Sequence, residues 1–140
     1  MIGALIAKSK VTSSYDLLNN RDIKGFLANW QDEATWIYPE STSAGGVFNG
    51  KPAIEEWFNK FLDQFPSLTI TPKHVCISNV MDFVGTNGVA VEWDEESTNK
   101  EGIESKFTGV TVITLKFGKA THAKDYIFAS DEEVKKAWGE

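Results

Sequence analysis

The stretch at residues 22–39, DIKGFLANWQDEATWIYP, constrains the fold more than any other, because a helical pattern passes into a strand pattern with almost no connection. Ile23, Phe26, Leu27 and Trp30 recur at i, i+3, i+4 and i+7, the spacing of one helix face, and Asp22 stands where an N-cap is needed. Asp32 and Glu33 break that period, and residues 34–38 read as a strand of aromatic and β-branched side chains. Alternation puts Trp36 and Tyr38 on one face and Thr35 and Ile37 on the other. Two large rings with polar tips on one strand face predict either a core or a pocket wall.

The rest of the chain can be placed around this turn. Upstream, Val11, Tyr15 and Leu18 at i, i+4 and i+7 predict a first helix over residues 4–20. Downstream, ESTSAGGVFNG at residues 40–50 reads as an exposed loop with a short strand at Val47 and Phe48. Gly50-Lys51-Pro52 opens a third helix, with proline in the first turn, where its missing N–H would have no partner. Ile54, Trp57, Phe58, Phe61, Leu62 and Phe65 form its apolar stripe, and Pro66 stops it.

The second half is patterned as strands: residues 68–80, a hairpin turn at Thr86-Asn87-Gly88, residues 89–93, a charged loop at 94–102, a long strand at 105–117 and a last strand at 121–128. On the long strand Phe107, Gly109, Thr111, Ile113, Leu115 and Phe117 share one face, with Val110 and Val112 on the other. On the last strand Ala123, Asp125 and Ile127 share a face. Ser130 and Glu133 fit a capping box, and Val134 with Trp138 predicts a short closing helix. The expected architecture is α+β: a cone in which three N-terminal helices pack on a strongly curved, mostly antiparallel sheet. The open end of such a cone is a natural small-molecule site.

Composition narrows the function classes. At 140 residues a single domain over residues 1–140 is expected, and five Trp with nine Phe exceed what a minimal core requires, as an internal cavity would explain. A net charge of −6 would repel a phosphate backbone, so nucleic acid is not an expected partner. The one cysteine, Cys76, cannot form an intrachain disulfide; a reducing cytoplasm is the simplest location, and Cys76 is expected to be buried as a small apolar residue. The opening MIGALIA is short and lacks a preceding positive charge, so it reads as a helix start rather than a signal peptide. No apolar run approaches the ~20 residues that span a bilayer, so no membrane partner is expected. GGVFNG lacks the strand and lysine context of a phosphate-cradling loop, and neither a nucleophile elbow nor metal-ligand spacing is present, so no cofactor and no metal is expected.

Five segments in order, LNNRD at residues 18–22, FLANWQDEATW at 26–36, FNGKPAIEEWF at 48–58, the Phe65-Pro66 stop and GK…AKDYIF at 118–128, resemble the SnoaL-like family of the nuclear transport factor two-like superfamily, relatives of polyketide cyclases and ketosteroid isomerases. The resemblance implies the cone fold, frequent dimerisation through the outer sheet face, and functions from isomerases and cyclases to non-catalytic binding domains. The general base of ketosteroid isomerases falls on Tyr38, and their oxyanion-hole positions fall near Ser14, beside Tyr15, and on Ile113, so that mechanism is not expected. Of the dehydratase dyad, the aspartate position is Asn19, while His74 suits the histidine. The acid that SnoaL-like cyclases carry on the last strand matches Asp125.

The resulting expectation is cofactor-independent acid/base chemistry, of isomerase, cyclase or dehydratase type, on a small hydrophobic molecule that is cyclic or carbonyl-bearing. Asp125 is the expected acid/base, partly desolvated among apolar neighbours, with His74 and Tyr38 orienting or polarising the substrate. Tyr15, Trp36, Phe48, Trp93, Thr111, Ile113 and Ile127 are the expected substrate-binding lining. The alternative is a non-catalytic ligand-binding or dimerisation module of the same fold. A homodimer is expected through the outer sheet face that carries Val110 and Val112.

Overall fold

The structure, a computed structural model, describes residues 2–140. Its elements are α1 (Ile2–Asn19), α2 (Ile23–Leu27), β1 (Trp30–Tyr38), β2 (Gly46–Asn49), α3 (Lys51–Gln64), β3 (Ser67–Ile77), β4 (Asn87–Thr98), β5 (Glu104–Lys116), β6 (Lys119–Ile127) and α4 (Asp131–Ala137). The six strands form one sheet in the order β2-β1-β6-β5-β4-β3. β1 runs parallel to β6 and every other neighbouring pair is antiparallel. The result is the expected α+β cone, an unclosed curved sheet with helices against its concave side.

Ala4, Ala7, Val11, Tyr15 and Leu18 give α1 one buried ridge, which packs on β3 and β4. Asn19 fixes the end of that helix. Its side-chain amide donates to the Ile70 carbonyl and accepts from the Ile70 N–H, each at 2.8 Å, so it satisfies both polar groups of one residue on an edge strand. Asn19 is therefore committed to holding helix to sheet. Arg21, at φ 61°, turns the chain toward α2 and donates its guanidinium N–H groups to the Leu62 and Phe65 carbonyls at the end of α3, where helical carbonyls lack partners.

Trp30 departs from the expected helix. α2 ends at Leu27 and Trp30 opens β1, pairing with Ala120 before a register shift carries the ladder to Thr35 and His122. The helix spacing is met in sequence, but the ladder with β6 claims the residue. Trp36 and Tyr38 do share the inner, buried face. In α3, Ile54, Trp57, Phe58, Phe61 and Leu62 are buried, and Gly50 at φ 86° caps its start.

Four further expectations are corrected in the second half. The hairpin turn is not at Thr86-Asn87-Gly88: Asn87 and Gly88 already belong to β4, and residues 78–86 make the connection. Asn87 donates to the Asn79 carbonyl and accepts from its N–H, so it closes the loop as a strand residue. The charged stretch after Trp93 is strand up to Thr98, with Glu95 and Ser97 buried. Phe117 leaves the inner face and is 78% exposed, because Phe117 and Gly118 take φ 50° and 78° in the two-residue turn between β5 and β6. Cys76 is exposed rather than buried, on the outer side of β3. Among the described residues no helix is long and apolar enough to cross a membrane. At the C-terminus, the Ser130–Glu133 capping box starts α4 as expected.

Candidate functional site

A cavity of about 90 Å³ lies between α1, α3, β1 and the concave faces of β3 to β6. Its walls are mainly aromatic. Trp36 stands 5.2 Å from Trp57 and 5.3 Å from Phe58, Tyr38 stands 4.8 Å from Trp57, and Trp30 stands 6.3 Å from Trp36, all centroid to centroid. The Trp36 indole N–H, sealed among these rings, is the one buried side-chain polar atom among the described residues without a hydrogen-bond partner.

Into this apolar shell the sheet projects two carboxyl groups, Asp125 from β6 and Glu95 from β4. Burial pushes Asp125 up to about 7; a hydrogen bond from Thr111 opposes this and the nearby Glu95 charge adds to it. Burial likewise pushes Glu95 up to about 7, against a hydrogen bond from the Ser97 hydroxyl to its Oε1 at 3.0 Å. Both acids face the same cavity and are poised near neutrality, and the Glu95 charge adds to the rise at Asp125.

The hydrogen bonds around the acids have a fixed direction. Trp93 Nε1, which can only donate, gives its hydrogen to Thr111 Oγ1 at 2.9 Å, and Thr111 therefore directs its own hydroxyl proton to Asp125 Oδ1. The register supports this, since Thr111 pairs directly with Asp125 across β5 and β6. Gly109 makes room for the indole: a Cβ there would lie 2.6 Å from Trp93 Cη2 and 2.6 Å from the Tyr126 carbonyl oxygen. A second pair repeats the arrangement. Trp138 Nε1 donates to Tyr38 Oη at 3.0 Å, which leaves the tyrosine proton free for an acceptor in the cavity. Tyr38 feels both carboxyls, and burial first of all raises it far above its usual range, as it does Tyr15. Both phenols stay protonated and keep a proton to donate.

Of the residues expected at the site, the structure brings Asp125, Tyr38, Tyr15, Trp36, Trp93, Thr111, Ile113 and Ile127 to this one cavity. His74 and Phe48 are not in its lining. His74 lies on the outer side of β3, just past a register shift at Pro72, with its side chain 75% exposed and Nδ1 2.9 Å from Glu92 Oε2. It is not a partner of Asp125. Phe48 packs at the edge of the aromatic cluster, 6.2 Å from Trp57. Glu95 and Trp138 were missed as site residues. Glu95 continues the inward alternation Val89, Val91, Trp93 by one more step, and that period was the available signal. No group of three or more His, Cys, Asp or Glu among the described residues is arranged to hold a metal ion.

A six-stranded, curved, unclosed sheet covered by helices is the cone fold of nuclear transport factor two-like proteins. The SnoaL-like domain model matches residues 11–123, and the chain belongs to that family. A comparison with curated proteins finds no match. Among solved structures, Bal32a from a soil-derived mobile gene cassette is 18% identical with a TM-score of 0.84, covering 97% of this chain and 98% of its own. An NTF2-like protein of unknown function from Burkholderia pseudomallei K96243 is 17% identical with a TM-score of 0.83, covering 96% and 98%. SalBIII, an epoxide hydrolase/cyclase-like enzyme of pyran ring formation in polyether salinomycin, is 26% identical with a TM-score of 0.70, covering 89% and 92%.

Proposed function

We propose that the protein is a cofactor-independent acid/base enzyme acting on a small, largely apolar molecule held in the cavity. The observation that carries this reading is the presence of half-buried Asp125 and buried Glu95 on the lining of one aromatic-walled cavity, each supplied with a hydroxyl donor. With both acids poised near neutral pH, a carboxyl in its ionised form takes a proton from the substrate and one in its protonated form returns a proton elsewhere on it, the requirement of an isomerisation, a cyclisation or an epoxide opening. Asp125 is the primary acid/base, Glu95 its counterpart, and Tyr38 a neutral donor to an oxygen of the substrate. The likeness to SalBIII supports such chemistry. Pairing of two copies through the outer face of β5 and β6, where Val112 is 43% and Tyr126 46% exposed, completes the proposal; a monomer in light scattering at micromolar concentration would contradict that part. We take the reaction to run in a reducing cytoplasm, where the exposed Cys76 thiol stays reduced.

The test uses two probes, cyclohexanone in D2O for α-proton exchange and cyclohexene oxide for ring opening, both followed by NMR. Acceleration of either by the protein, lost by a factor of about 10²–10⁴ in Asp125→Asn, is the expected result. A second reading, a binding module without chemistry, draws on the use of Asn19 as a helix-to-sheet clamp and on His74 standing outside the cavity. Binding of the probes with no acceleration would favour it.

A further inference from the structure

We propose that the ligands of this cavity carry a small organic cation, an alkylammonium head whose charge rests between Asp125 and Glu95 and whose methyl groups lie against the aromatic walls. This ligand class rests on the reading of the cavity as the binding site and names what fills it.

The first observation is a missing countercharge. On the outer side of the sheet the acids of β4 have basic partners: Glu92 has His74, Asp94 has Lys73 and Glu96 has Lys106. Among the described residues, the two enclosed acids have none. The charged and titratable groups facing them are Tyr15 and Lys10 from α1 and Tyr38 from β1; α3, β3 and β5 contribute only uncharged lining. Lys10 is exposed at the rim, its Nζ 3.5 Å from the Gly118 carbonyl oxygen. An acid out of water without a cation remains protonated or costs the fold free energy, and a ligand that brings the cation supplies the missing countercharge.

The second observation is the wall. Trp30, Trp36, Tyr38, Trp57 and Phe58 surround the space with rings tilted 36° to 83° to one another, so that faces and edges meet the cavity from several directions. The negative face of an aromatic ring attracts a cation, and its apolar surface accepts methyl groups. A metal ion would instead need several convergent oxygen ligands. The net charge of −6 draws such cations toward the protein.

The test is calorimetric titration of the intact protein, at fixed ionic strength, with tetramethylammonium chloride and with its neutral analogue tert-butanol. Tetramethylammonium should bind at least tenfold more tightly than tert-butanol at pH 8, and about tenfold more weakly at pH 6, where the acids regain protons. Near pH 6.5 binding should release protons, seen as a heat that changes with the ionisation enthalpy of the buffer. Asp125→Asn and Glu95→Gln should each weaken binding tenfold or more, and Glu92→Gln, on the outer side, should not change it. Equal binding of the two probes, no binding of tetramethylammonium, or undiminished binding to both inner variants would each overturn the cation assignment. Proton exchange of cyclohexanone is judged separately. Exchange without cation binding leaves the acid/base reading standing on a neutral substrate, and cation binding without exchange leaves the ligand class and removes the chemistry.

Discussion

One strand carries acids of two kinds. On the outer side of β4, Asp94 accepts a hydrogen bond from Thr108 and pairs with Lys73, and these hold its carboxyl below the usual range. One residue further along, Glu95 points inward, has a single hydroxyl donor and no cation, and burial pushes it up to about 7. The same functional group is permanently charged on one side of the sheet and poised near neutrality on the other. The two-residue period of a strand, by assigning a side, sets the chemistry of each acid.

The largest expected effect breaks or sharpens this contrast through pH. Between about pH 4 and 7 the inner acids hold protons in the folded chain that the unfolded chain has released, so stability falls as pH rises through that window and levels off above it. The outer Asp94 has the opposite sign, and its contribution is lost only as pH falls through its depressed folded value. Urea unfolding at pH 5 and pH 8 should therefore show a loss of a few kcal/mol at the higher pH. The Glu95→Gln/Asp125→Asn double variant should flatten that slope and exceed the unaltered protein in stability at pH 8; an unaltered protein equally stable at both values would refute the contrast.

Next in size is Gly109→Ala, which drives a methyl group into the Trp93 ring and should cost about 3 kcal/mol in thermal or urea unfolding. Thr111→Val keeps the shape but strands the Trp93 N–H and removes the donor to Asp125. It should cost about 1–2 kcal/mol and move the Asp125 titration further upward. The smallest effect belongs to the outer side: His74→Ala should change stability by less than about 0.5 kcal/mol and leave turnover of the cyclohexanone and cyclohexene oxide probes unchanged, because His74 is exposed and outside the cavity.

The cone was legible because its determinants are local. The apolar ridge of α1, the stripe of α3, the paired rings Trp36 and Tyr38 and the inward set Ala123, Asp125 and Ile127 each follow from a period read over a few residues. Several of the departures share one cause, which is that a non-local pairing overrides a local pattern. Trp30 satisfied the helix spacing but was taken by the ladder with β6. Residues 94–98 looked like a charged loop because both faces are polar there, yet thirteen-residue β5 provides a partner along their whole length, and the ladder continues to Thr98. That misjudged loop concealed Glu95. The resemblance puts His74 at the site, but the shift at Pro72 with the facing Glu92 fixes it on the outer side. Trp138 came from a helix recognised by its capping box, but its bond to Tyr38 spans a hundred residues and leaves no mark in local sequence.

The most direct test is a carbon-13 NMR titration of the side-chain carboxyls, with Asp125 and Glu95 assigned from Asp125→Asn and Glu95→Gln. Both should titrate near 7, Asp125 shifting downward when Glu95 is neutralised, while Asp94 stays ionised throughout that range. Midpoints for both inner acids near the ordinary value of about 4 would contradict this.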